Sequence, residues 1–79
     1  MPELKSKFMA AVDRTAPGKA TRRWDILSRS SGGPLGWIAW YGAWRQYVFY
    51  PAPDTLYNNG CLESIQAFLT DANMEQKAR

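Results

Sequence analysis

Histidine is absent from the 79 residues, and there is a single cysteine. The first absence excludes imidazole acid–base catalysis, His-containing metal sites and any Ser–His or Cys–His dyad. The second excludes an internal disulfide and a thiolate metal centre, since Cys61 has no second thiol to join. Long apolar runs are also missing. The longest, Gly36 to Ala43, is interrupted by glycine and falls far short of the ~20 residues that a spanning helix needs. No apolar signal-peptide core opens the chain, which with the unpaired thiol leads us to expect a cytoplasmic protein. Ser30-Ser31-Gly32-Gly33 is rich in glycine, but no Lys-Ser/Thr ending follows, and a strand comes next where a phosphate loop needs a helix. Asp54, Glu63 and Asp71 are spaced too widely to read as an acid–base pair. No internal repeat is present. A large enzyme, a zinc module and a disulfide-stapled domain are thereby excluded. We expect a non-catalytic binding or inhibitory module without cofactor or metal.

What is present in excess is aromatic. Four Trp, four Tyr and three Phe make up 14 % of the chain, within an otherwise ordinary globular mixture of 46 % hydrophobic and 22 % charged residues. A domain this small buries only about 60–65 % of the surface exposed on unfolding, so a few large rings must supply area that aliphatics provide elsewhere. The net charge is +3, unevenly spread. Residues 1–30 hold seven basic and three acidic groups, whereas residues 54–79 hold two basic and four acidic ones. The basic residues Lys5, Lys7, Arg14, Lys19 and Arg22 suggest an N-terminal arm able to follow a phosphate backbone, or a solvated leader.

Periodicity divides the chain into an arm over residues 1–22, a sheet-plus-helix domain over 23–74 and a frayed tail over 75–79. Leu4, Phe8, Ala11 and Val12 recur at helical spacing, which predicts a short amphipathic helix over 4–14, ended by Pro17 and Gly18. From Arg22 the period becomes two, with Trp24 and Ile26 alternating against Arg23, Asp25 and Leu27. Further strands are expected at Leu35–Tyr41 and Trp44–Tyr50, joined by a two-residue type II′ turn at Gly42-Ala43. That turn pairs Tyr41 with Trp44, Trp40 with Arg45, Ala39 with Gln46 and Ile38 with Tyr47, and it offers Trp40 and Arg45 a cation–π contact. A helix follows over about Cys61–Asn73, capped by Asn59 or Gly60, with Glu63 in its first turn and an apolar stripe of Leu62, Ile65, Phe68 and Leu69. Cys61 reads as a small buried side chain. The expected fold is α+β: a three-stranded antiparallel sheet covered by a C-terminal helix.

One helix covers one face of a sheet. We assign it Trp24, Ile26, Ile38, Tyr47 and Phe49. The other face then presents Leu35, Trp37, Tyr41, Trp44 and Tyr50, rimmed by Arg23, Arg29 and Gln46. Exposed contiguous aromatics mark an interaction surface, and Trp, Tyr and Arg dominate binding hot spots. The same residue types suit base stacking. A fold-back of the N-terminal helix, or a homodimer, would also cover the face. Two nucleic-acid modules fit poorly, whereas a small sheet-plus-helix domain that lays its sheet in a DNA groove stays open by analogy of fold. The Arg/Lys-Gly-aromatic run of an RNA-recognition domain is missing, and the C-terminal helix is acidic where a double-stranded-RNA domain needs a basic one.

The run Leu35-Gly36-Trp37-Ile38-Ala39-Trp40-Tyr41-Gly42-Ala43-Trp44-Arg45-Gln46-Tyr47, then Phe49, Pro51, Gly60-Cys61-Leu62, Ile65 and Phe68, resembles a family of small phage and prophage proteins. These carry a Trp-Tyr-Gly-x-Trp-Arg-Gln-Tyr core and a Gly-Cys-(Leu/Met) helix start. The likeness covers roughly residues 24–70 and leaves out 1–22. Ala43 stands where the family often has Pro. The resemblance brings no catalytic or ligand-binding residues. It implies a phage origin, and with it two expectations. One is a protein that inhibits a host defence complex handling nucleic acid by occlusion, as anti-CRISPR proteins do, in the host cytoplasm. The other is an accessory nucleic-acid- or nucleotide-binding module.

Overall fold

The structure is a computed structural model and describes residues 2–77. Four strands form one antiparallel meander in the order β1-β2-β3-β4: β1 Met9–Asp13, β2 Arg23–Ser28, β3 Pro34–Tyr41 and β4 Gln46–Pro51. Among the described residues one helix, α1, runs from Asn59 to Lys77 across one sheet face. Among the described residues, no helix is long and apolar enough to cross a membrane.

The sheet has four strands, not three, because the expected N-terminal helix is a strand. Met9–Asp13 pairs antiparallel with β2, with Ala11 opposite Ile26 and Asp13 opposite Trp24. An isolated helix of that length is marginal in water, whereas pairing satisfies the open N–H and C=O edge of β2. The helical spacing of Leu4 and Phe8 is a coincidence of sequence: Leu4 is buried, Met9 is completely buried and Phe8 is 60 % exposed. Pro17 and Gly18 lie in the connection of this hairpin, and Gly18 has a positive φ of 80°.

The β3–β4 hairpin corrects the proposed turn. Tyr41 pairs with Gln46, so the loop has four residues, Gly42 to Arg45, and no type II′ turn forms. Trp44 N–H donates to the Tyr41 carbonyl and Arg45 N–H to that of Gly42, both at 3.2 Å. It is Arg45, not Gly42, that takes the left-handed conformation, at φ 51°. Trp40 therefore opposes Tyr47 rather than Arg45, Ala39 opposes Val48 and Ile38 opposes Phe49. The pairing is displaced by two residues. An even displacement keeps the strand side chains on their assigned faces, because side chains alternate with period two.

The core lies between the helix and one sheet face. Trp24, Ile26, Ile38 and Tyr47 from the strands meet Cys61, Ile65, Phe68 and Ala72 from α1, and Met9 and Leu4 close the β1 side. Phe68 is edge-on to Trp24 at 5.0 Å, and Trp24 edge-on to Tyr47 at 5.5 Å. Leu35, expected outside, packs against this core, beside a register irregularity at Ile26/Leu27. The helix is capped by Asn58, whose Oδ1 accepts the Cys61 N–H at 2.8 Å. Placing the cap one residue earlier removes Glu63 from the first turn. The buried stripe runs along Cys61, Ile65, Phe68 and Ala72 rather than through Leu62, which is 52 % exposed. Of the tail expected over 75–79, residues 75–77 continue the helix, with Asn73 and Gln76 hydrogen-bonded to Tyr47, and residues 78–79 lie outside the described residues.

Candidate functional site

Among the described residues, none forms a layer over the face of the sheet away from α1. Alternation along the four strands brings Ala10 and Val12 (β1), Arg23, Asp25 and Leu27 (β2), Trp37, Ala39 and Tyr41 (β3) and Gln46, Val48 and Tyr50 (β4) onto it. The apolar members are half-buried by their neighbours, and no second layer shields them.

At its centre three flat groups stack. The Arg23 guanidinium lies 5.2 Å over the Trp37 ring, and Trp37 is stacked on Tyr50 at 5.2 Å with an interplanar angle of 12°. Directly opposite positions in β3 and β4 bring Trp37 and Tyr50 together. Asp25, opposite Trp37 in β2, holds the neighbouring cations: Arg14 Nε is 3.3 Å from Asp25 Oδ2, and an Arg23 terminal nitrogen is 3.7 Å from Oδ1. At the hairpin end a second ring pair stands edge to face, Tyr41 against Trp44 at 5.0 Å. Trp44 is 66 % exposed, the most open of the rings on this face. Tyr41, Trp44, Val48, Phe49 and Tyr50 line an apolar groove of about 350 Å³. Gln46, opposite Tyr41, is exposed at its rim.

Not all of the expected residues join this face. Arg29 is drawn to the N-terminal segment, its Nε donating to the carbonyls of Ser6 at 3.1 Å and Met9 at 2.9 Å. It lines a cavity of about 300 Å³ with Leu4, Trp24 and Phe68 on the helix side. The five residues grouped as a basic arm do not act as one surface, because residues 9–13 are a strand and residues 14–22 its hairpin connection. Lys5 stands near α1 beside Glu63 and Asp71, and Lys7 is exposed on the segment leading into β1. Arg22 lies 5.1 Å over the Trp24 ring and is ion-paired to Asp13. Arg14 and Lys19 share the β1–β2 connection with Arg22 and Arg23.

Asp13 organises that connection. The Thr15 N–H donates to its Oδ1 at 2.8 Å, and the Arg23 N–H donates to Thr15 Oγ1 at 3.0 Å. The Thr15 hydroxyl, the Arg22 guanidinium and the Thr15 amide all bind the Asp13 anion and lower its pKa from 3.8 to about 2. Sequence reasoning did not find Asp13, Asp25 or the contribution of β1 to the open face. The alternation Ala10/Val12 was a signal for the last of these, masked by the stronger helical spacing of Leu4 and Phe8. Among the described residues, no group of three His, Cys, Asp or Glu side chains is placed to hold a metal ion.

Over 72 residues, 91 % of this chain and 92 % of the other, the sequence is 30 % identical to an uncharacterised 9.3 kDa protein of Acholeplasma phage L2. The chain belongs to this family of small phage proteins. A match of that length takes in β1, so the likeness extends well beyond residues 24–70. No family model matches the chain, and no solved structure matches it.

Proposed function

We propose that this phage-family chain is a non-catalytic binding protein that inhibits, by occlusion, a host defence complex handling nucleic acid. The observation that carries this reading is the open sheet face, with Trp37, Tyr41, Trp44 and Tyr50 outside a monomer whose other face is closed by α1. Trp37, Tyr41 and Tyr50 stand on paired strands and Trp44, in the loop, packs edge-on against Tyr41, so little side-chain entropy is lost when a partner covers them. Trp44 projects furthest and is the natural anchor, with Arg23 and Gln46 at the rim. Trp44→Ala is expected to abolish capture of the host complex while leaving the far-UV circular dichroism unchanged. Undiminished capture by the folded variant would remove this surface from consideration.

A second reading, as a nucleic-acid- or nucleotide-binding module, is favoured by one arrangement: Arg23, Trp37 and Tyr50 form a stack to which a base could be added. Its expected signature is affinity that falls steeply with salt, measured by fluorescence anisotropy with labelled oligonucleotides.

A further inference from the structure

We infer that the β1–β2 connection carries a binding site for a phosphate group, separate from the aromatic face. This deepens the second reading above and does not depend on occlusion. At the end of the sheet a pocket of about 290 Å³ is lined by Arg14, Lys19, Arg22 and Arg23, with Ala39 and Trp40 beside them. Four cations line it and no carboxylate does. The pocket at Lys5 makes the contrast, since Glu3, Glu63 and Asp71 line it beside one lysine. Asp13 and Asp25 offset part of the charge of Arg22, Arg14 and Arg23, so an anion entering the first pocket meets a lining that stays net positive, and one entering the second meets a net negative one.

The carboxylates that steady the arginines do not exhaust them. Asp25 engages one nitrogen of Arg14 and one of Arg23, and a guanidinium carries five N–H donors. The remaining donors suit phosphate oxygens, which accept forked pairs of hydrogen bonds. The cradle is also formed in advance. The Arg14 N–H donates to the Arg23 carbonyl at 2.8 Å, and Thr15 ties Asp13 to the Arg23 amide. A loop fixed by its own hydrogen bonds loses little conformational freedom on binding. Arg23 joins the two regions, bordering the pocket while its guanidinium covers Trp37. A phosphate in the pocket would thus leave its base or sugar within reach of an aromatic surface.

The phosphate group could come from a nucleic-acid backbone or from a free nucleotide. Titrating the full chain with a nucleoside 5′-monophosphate and, separately, with a single-stranded DNA oligonucleotide tests the site and sorts its source. Amide shifts concentrated at Thr15–Arg23 and at the Trp40 indole are expected. The double substitution Arg14→Gln/Lys19→Gln should weaken binding about tenfold or more, because the phosphate term dominates affinity. Arg45→Gln, in the exposed β3–β4 loop, should leave it unchanged, and Lys19→Gln alone serves if the double variant does not fold. Much tighter binding of the oligonucleotide identifies a backbone, and comparable binding of both probes identifies a nucleotide. Equal losses in the Arg45 and loop variants, or no shifts in the pocket, would overturn the site. If oligonucleotide binding survives the loop variants but is lost in Trp37→Ala, the pocket fails and the second reading stands. If neither probe binds, both fail.

Discussion

At the scale of single residues, Gly36 shows how closely β3 and β4 approach. A Cβ placed there would collide with the Tyr50 carbonyl oxygen and lie 2.9 Å from the Phe49 ring. Backbone cannot move aside cheaply, so Gly36→Ala is expected to destabilise the fold by about 1–3 kcal/mol in urea unfolding. Asp13 gives a pH dependence with a definite sign. Its carboxyl titrates at about 2 in the folded chain, below its ordinary 3.8. The unfolded chain therefore takes up this proton first as pH falls. The stabilisation is whole above the ordinary value and is lost progressively between about pH 4 and pH 2. Asp13→Asn should lower Tm at neutral pH and flatten its decline through that window, as thermal melts across the acid range would show. Neither residue could be singled out beforehand. Gly36 looked like any strand glycine, and the partners of Asp13 depend on a hairpin connection that the helical reading of residues 4–14 hid.

Among the elements, the contact between α1 and β4 explains why the helix outlasts its apolar stripe. Asn73 Oδ1 accepts the Tyr47 N–H at 2.6 Å, and its Nδ2 donates to the Tyr47 carbonyl at 3.4 Å. One side-chain amide thus satisfies both backbone groups that Tyr47 turns out of the sheet, as a further strand would. The Tyr47 hydroxyl in turn accepts the Arg22 N–H at 2.9 Å and donates to Gln76 Oε1 at 3.1 Å. Edge strands with unpaired groups invite association, and Asn73 blunts this one near its start while Pro51 ends it. Asn73→Leu should cost about 1–3 kcal/mol in equilibrium unfolding, since it strands two backbone groups, and Leu62→Ala, at an exposed position, should cost less than about 0.5 kcal/mol. Much of this architecture was legible in the sequence. The alternation of Trp24 and Ile26 identified β2, and Trp37–Tyr41 against Tyr47–Tyr50 identified the hairpin. The apolar spacing of Ile65 and Phe68 gave the helix. The true register was not legible, because a four-residue loop and a two-residue turn place the same side chains on the same faces. Nor was the helix end, where polar Asn73 and Gln76 look like tail residues until Tyr47 stands beside them.

For the molecule as a whole, the decisive feature is asymmetry. Trp24, Ile38 and Phe68 are sealed between sheet and helix, whereas Trp37, Tyr41, Trp44 and Tyr50 remain on a face with no layer of its own. Adding β1 widens that face with Ala10 and Val12 without closing it. Arg29, expected among its anchors, instead fastens the N-terminal segment, so the rim is carried by Arg23 and Gln46. Sequence reasoning found Trp37, Tyr41 and Tyr50 because aromatic alternation survives a register error of two, whereas Trp44, expected in the strand opposite Tyr41, stands in the loop beside it. It misplaced Arg29 because that residue lies one beyond the last residue of β2, where alternation no longer applies. The most direct test is NMR of the indole N–H signals with a soluble paramagnetic relaxation agent on the isolated protein. Strong broadening of Trp44 with Trp24 protected is the predicted result. Equal protection of both, at concentrations where the chain is monomeric, would mean that the rings are covered from within and would contradict the account.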